Sequence, residues 1–244
     1  MNRIALITGA SRGIGRAAAE LLAERGYRLM LNYFRSEGSA LELKQKLTAA
    51  GADAEIFQAD VGDPRQAEAM AEACCKRFGR VDVLINNAGI ADVGRLTEVT
   101  DERWDRLWRV NVGGVFYTCR AVLPRMIREK RGKIINLSSI WGIAGASCEA
   151  AYSATKAAVI GLTKALAKEV GPSGIQVNCI APGAVETDMN AALDEAALRS
   201  LREETPLGRL GTPREIAAAI AFLASEESDF ITGQVLSPNG GLVI

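Results

Sequence analysis

The chain contains no histidine. That excludes Ser-His-Asp and Cys-His catalysis and removes the imidazole around which catalytic zinc sites are usually built, so no metal is expected. Proton chemistry must then use Tyr, Lys, Asp, Glu or Cys. Cysteine is sparse: Cys74, Cys75, Cys119, Cys148 and Cys179 make an odd count with no C-x-x-C pair. These read as reduced thiols, mostly core filler, of a cytoplasmic protein. Net charge is also lacking, with 29 basic against 29 acidic residues. Neither nucleic acid nor an anionic membrane surface is an expected partner. No apolar run is long enough to span a bilayer, and Met1 leads through Arg3 into a short strand, not a signal peptide.

What is present is ordinary for a folded α/β chain: 244 residues, 48% apolar and 24% charged. Residues 3–8 form a short apolar run that breaks into Gly9-Ala10-Ser11-Arg12-Gly13-Ile14-Gly15, followed by a helix rich in Ala, Leu and Glu. Strand, glycine turn and helix are the setting of a dinucleotide site. The glycines let the backbone approach a pyrophosphate, and the helix start supplies free N–H groups. The second strand, 28–33, ends at Asn32, Tyr33, Phe34, Arg35 and Ser36, where an acidic residue would favour NAD. Arg35, with Arg12 from the glycine turn, can instead pair with a 2′-phosphate, so NADP is favoured with NAD left open. Glu37 lies close enough to complicate that choice.

Further strands are expected at 54–59, 81–85, 133–138, 174–180 and 233–237, alternating with helices. Asp63-Pro64-Arg65-Gln66 predicts a helix start with Asp63 as cap and Gln66 as reciprocal cap, and Thr212-Pro213-Arg214-Glu215 predicts another. Residues 100–130 read as helical, with Asn111 in mid-segment and a break at or before Pro124. Residues 184–208 have weak pattern and read as a mobile segment with one short helix, a candidate substrate lid. The alternation predicts one doubly wound, Rossmann-type domain over residues 1–244. It would have a parallel sheet of about seven strands and helices on both faces. Loops at the carboxyl ends of the strands then converge on one crevice.

Tyr152 and Lys156 are spaced to share one helix face. Alone, this is also the spacing of an ordinary surface pair. An ammonium beside the phenol would lower the tyrosine pKa from its reference of about 10. Ser139, at the end of a buried strand, could hydrogen-bond a substrate oxygen while Tyr152 exchanges a proton with it.

The ordered set Thr8-Gly9-Ala10-Ser11-Arg12-Gly13-Ile14-Gly15, Asp60-Val61, Asn86-Asn87-Ala88-Gly89, Asn111, Ser139, Tyr152-x-x-x-Lys156 and Pro182-Gly183-x-x-x-Thr187 resembles the short-chain dehydrogenase/reductases over the whole chain. The resemblance implies Tyr152 as general acid/base and Lys156 as the residue that lowers its pKa and holds the nicotinamide ribose. Ser139 would orient the carbonyl, and Asn111 would hold a relay water. It also implies cofactor contacts from Asp60, Val61, Asn87, Ala88, Gly89, Pro182, Gly183, Val185 and Thr187, and a homotetramer. Arg12 and Asn239-Gly240-Gly241 are similar to the 3-oxoacyl-[acyl-carrier-protein] reductase branch, which implies acyl carrier protein as partner. Ser173 stands where that branch has a basic docking residue, while Lys130 and Arg131 keep positive charge at the other docking position. The stretch from Ser138 to Glu149 resembles the elongation factor P 5-aminopentanone reductases, which implies Trp141 and Cys148 at the substrate mouth. The intact Ser139, Tyr152 and Lys156 argue against a non-catalytic nucleotide sensor on the same fold.

Overall fold

The computed structural model describes residues 3–187 and 195–244. Seven parallel strands form one sheet: β1 (Ile4–Ile7), β2 (Arg28–Tyr33), β3 (Ala54–Gln58), β4 (Val83–Asn86), β5 (Gly132–Leu137), β6 (Ile175–Ile180) and β7 (Val235–Leu236). Their order is β3-β2-β1-β4-β5-β6-β7. The winding reverses between β1 and β4, and a crevice opens there beyond the carboxyl ends of the strands.

The pleat sorts the strand residues to two faces. Ala5, Ile7, Leu29, Leu31, Val83, Ile85 and Ile135 turn one way, against α1 (Gly13–Glu24), α2 (Glu37–Ala49) and α9 (Pro213–Ala224). Ile4, Leu6, Met30, Leu84 and Ile134 turn the other way, against α3 (Pro64–Phe78), α5 (Gly114–Glu129) and α7 (Ala150–Val170). Each large side chain so buried contributes about 1.5–3 kcal/mol. The expected α/β architecture with helices on both faces is therefore present. Cys74, Cys119 and Cys179 are buried in it as expected, while Cys148 is exposed.

Two local expectations are corrected. Pro124 does not break the helix but lies within α5. It sits on the exposed face, where the carbonyl that lacks its N–H can be hydrated. The interruption comes earlier: α4 (Asp101–Trp108) runs into a π turn at Arg109–Gly113, which contains Asn111. Asp63 does cap α3, accepting from the N–H groups of Arg65 and Gln66. The Gln66 carbonyl oxygen, however, accepts from Asp60 N at 2.9 Å, so it ties the β3 exit instead of closing the box. At α9 the reciprocal box between Thr212 and Glu215 is complete.

The segment after Gly183 carries the short helix α8 (Glu195–Glu204), and Val185 pairs with Gly211. Residues 188–194 of the expected lid lie outside the described residues.

Candidate active site

The glycine turn is built by close approach. Gly9 and Gly13 have φ of 62° and 52°, where a side chain would be strained. A Cβ on Gly15 would stand 2.4 Å from Gly9 O and 2.5 Å from Asn87 Nδ2. Asn87 donates through Nδ2 to the carbonyls of Thr8 and Gly9, both at 3.0 Å. Thr8 Oγ1 accepts from the N–H groups of Asn87 and Ala88, both at 3.0 Å. These bonds tie the β4 loop to the glycine turn. Thr8, at the end of the apolar run, is their hub. A hydroxyl ending an apolar strand was the available signal.

Asn32 is likewise turned inward and buried. Its Oδ1 accepts from Gly9 N at 3.1 Å and its Nδ2 donates to Ala59 O at 3.0 Å. A polar residue in an apolar strand again marked it. Ser11 is buried in the turn, and Ile14 packs against the core.

No side chain caps the first turn of α1, and no acidic residue lies in it. Its N–H groups and positive dipole end suit an anion. Arg12 and Arg35 are exposed nearby in sequence and sheet order, with Arg35 stacked 5.3 Å from the centroid of Phe34. Ser36 precedes α2 without capping it. Asp60 is engaged, with Oδ1 accepting from Gly62 N and Oδ2 paired to Arg109 at 3.1 Å. Val61 is buried against Gly114.

On the β6 side, Pro182 O accepts from Ile140 N at 3.0 Å, and a Cβ on Gly183 would collide with Asn239 at 2.8 Å. Val185 is buried. The Thr187 methyl lies 3.5 Å from where a Gly13 Cβ would be, which brings this loop onto the glycine turn.

Ser139, Tyr152 and Lys156 are all buried. Ser139 Oγ accepts from Trp141 N at 3.2 Å. Lys156 Nζ donates to Leu137 O at 2.9 Å and lies 5.6 Å from the Tyr152 ring centroid. The space for a Gly89 side chain is closed by Asn111 Oδ1 and Lys156 Nζ, at 3.3 and 3.4 Å. Glycine there keeps the β4 loop against the lysine.

The sequence expectation for Tyr152 is reversed. Burial pushes its phenol up to about 12, against the hydrogen bond from Ser139, and the charge of Glu149 pushes the same way. Burial also brings Lys156 down to about 8. Desolvation acts on both groups, and the ammonium is turned to a carbonyl, so it does not offset the phenol's loss of water.

Asn111 is buried and fully employed. Its Oδ1 accepts from Ile90 N at 2.9 Å, and its Nδ2 donates to Ile90 O at 2.9 Å and to Thr155 Oγ1 at 3.1 Å. The side chain is thus a clamp between the π turn, the β4 loop and α7, not a free water ligand. Trp141 is half-buried at the start of the short helix α6 (Trp141–Ala144) and packs against the cluster of Leu107, Ala151 and Tyr152. Cys148 is exposed with φ of 61°, and its carbonyl accepts from Gly94 N at 2.7 Å.

The enoyl-(acyl carrier protein) reductase family model matches residues 9–243, which takes in the glycine turn, Ser139, Tyr152 and Lys156. The chain belongs to the short-chain dehydrogenase/reductase family. It is similar to the 3-oxoacyl-[acyl-carrier-protein] reductase FabG of Staphylococcus aureus, 43% identical over 99% of this chain and 98% of that one. FabG of Vibrio cholerae is 43% identical over 98% of this chain and 97% of that one. YmfI of Bacillus subtilis, an uncharacterised oxidoreductase, is 44% identical over 99% of both. The family implies a nicotinamide cofactor, and the donor set fits one: a glycine cradle, an uncapped helix start and flanking arginines.

Proposed function

We propose that this protein reduces a carbonyl to a secondary alcohol with NADPH, as a 3-oxoacyl-[acyl-carrier-protein] reductase, with residues 1–244 acting as one domain. Full-length likeness to two FabG enzymes, joined to a buried Ser139–Tyr152–Lys156 group beside the glycine turn, supports this reading. Gly9, Ser11, Gly13, Ile14, Gly15, Ala88 and Thr187 would line the dinucleotide, and Arg12 and Arg35 would pair with its 2′-phosphate. The bound cofactor supplies a hydride to the carbonyl carbon.

The residues do the rest. Ser139 donates a hydrogen bond to the carbonyl oxygen and polarises it. Tyr152 holds its proton at neutral pH, because burial keeps its pKa at about 12, and gives it up to the oxygen as alkoxide character develops. Lys156 carries positive charge close by and donates to the ribose. Asn111 holds the π turn, whose main chain is left to hold the relay water. Trp141 and Cys148 border the substrate mouth. The Tyr152→Phe variant should bind NADPH as wild type does, while kcat falls by about 10²–10⁴-fold. Undiminished turnover in that variant refutes the mechanism.

A second reading, reduction of a protein-linked ketone as in the elongation factor P 5-aminopentanone reductases, is favoured by the stretch from Ser138 to Glu149 and by Ser173. Initial rates with NADPH on an acetoacetyl group carried by acyl carrier protein or by a short thiol separate the two. Strong preference for the carrier supports the fatty-acid role, and equal rates favour the second reading.

The enzyme works in the cytoplasm as a homotetramer under this proposal. No helix among the described residues is long and apolar enough to cross a membrane.

A further inference from the structure

Beneath the site runs a line of buried polar side chains that the mechanism above does not use. Thr118 on α5 donates to Asn86 Oδ1 at 2.7 Å. Asn86 Nδ2 donates to Asn136 Oδ1 at 2.9 Å, across the β4–β5 pair. Asn136 Nδ2 donates to Thr163 Oγ1 on α7 at 2.9 Å, and the Thr163 hydroxyl in turn donates to Val159 O at 2.8 Å. All four residues are at most 2% exposed. The bonds run head to tail from α5 through two strands to α7, an arrangement in which each bond polarises the next.

Buried polar groups in a sheet interior cost stability unless every one is satisfied, and apolar side chains would fill the same space without that risk. Hydrophobic burial is non-directional, however, and does not by itself fix how a helix is rotated on a sheet. The inner face of α7 is also rich in small residues. Thr163 lies seven residues beyond Lys156 and eleven beyond Tyr152, so the three share one stripe of the helix. At the catalytic end α7 is tied by Ser138 Oγ to Lys156 O at 2.8 Å and by Asn111 to Thr155. The Asn136–Thr163 bond is a second tie, two turns further along. Two separated ties fix rotation and tilt together. A turn of about 20° moves a side-chain tip about 6 Å from the helix axis by roughly 2 Å. A misplacement of about 1 Å at the reacting atoms can cost on the order of 10²-fold in rate.

We propose that Asn136 and Thr163 are positioning residues for the reaction: their hydrogen bond sets the rotation of α7 on the sheet and so aims Tyr152 and Lys156 into the crevice. This rests on the assignment of Tyr152 and Lys156 as the reacting pair. Neither Asn136 nor Thr163 touches substrate or cofactor.

The test uses the full-length enzyme with NADPH and acetoacetyl-N-acetylcysteamine, measuring kcat, KM and the NADPH dissociation constant. In Thr163→Val, shape is kept and the acceptor is lost. kcat per folded enzyme should fall at least about tenfold, with KM and NADPH affinity within about twofold of wild type. Thr163→Ser restores the acceptor and should recover kcat to within about twofold. If Thr163→Val does not fold, Asn136→Ser, too short to reach Thr163, carries the same expectation. A folded Thr163→Val or Asn136→Ser enzyme that melts earlier but turns over normally overturns the proposal, as does a Thr163→Ser enzyme no better than Thr163→Val. Tyr152→Phe is assayed alongside. If it retains turnover, the underlying assignment fails; if it is inert while Thr163→Val is normal, only the positioning role fails.

Discussion

Lys156 is held where its charge is disfavoured. Its side chain is buried, donates to Leu137 O, and has its pKa brought down from 10.5 to about 8 by desolvation. A depressed folded value means that the unfolded chain binds the extra proton between those two limits. The lysine's contribution to stability is therefore present above 10.5 and is lost as pH falls through about 8. Lys156→Met removes the titration and keeps an apolar stem of similar length. Its stability relative to wild type should be greatest near pH 7 and should decline steadily as pH rises to 10.5, as read by urea unfolding at several pH values. A constant difference across that range would show that the lysine is not desolvated in this way. Tyr152 belongs to the same scale. The i, i+4 spacing placed both side chains on one face of α7, but the direction of the phenol's pKa depends on water excluded by residues from other elements, so it could not be read from local spacing.

Among the elements, the short helix α6 has the tightest constraint. A Cβ on Gly142 would stand 2.6 Å from Ser138 Oγ and 2.7 Å from the Lys156 carbonyl carbon. Only glycine lets α6 lie on α7 while Ser138 keeps its bond to Lys156 O. Gly142→Ala should push α6 off α7, cost about 1–3 kcal/mol in urea unfolding, and reduce kcat more than NADPH affinity. Unchanged stability would mean that the two helices separate without penalty. The π turn at Arg109–Gly113 shows what local pattern misses at this scale. Proline is the usual helix breaker, yet Pro124 is tolerated because it faces solvent. Asn111 is accommodated by a change of helical bonding because its amide is drawn to Ile90 and Thr155. The partners that decide the matter are 21 and 44 residues away.

For the whole molecule, one sheet with two apolar faces gathers loops from β1, β2, β4, β5 and β6 at one edge. Phe230, in the connection that leads into β7, stands outward at 104% exposure. The homotetramer proposed above rests on family membership, and light scattering should give about four times the 26.0 kDa chain mass. A monomer mass refutes it. Phe230→Asp should shift the mass downward if this surface takes part.

The sequence by itself determined the β-α alternation, the glycine turn, the helix start at Thr212 and the sharing of one helix face by Tyr152 and Lys156. Each depends on periodicity, φ freedom or spacing within about one or two turns of chain. The tertiary structure alone decided the inward turn of Asn32, the clamp made by Asn111, the upward shift of Tyr152 and the line from Thr118 to Thr163. These depend on partners from distant elements and on the removal of water between them. No local pattern carries that information, because burial and hydrogen-bond satisfaction are properties of the assembled interior.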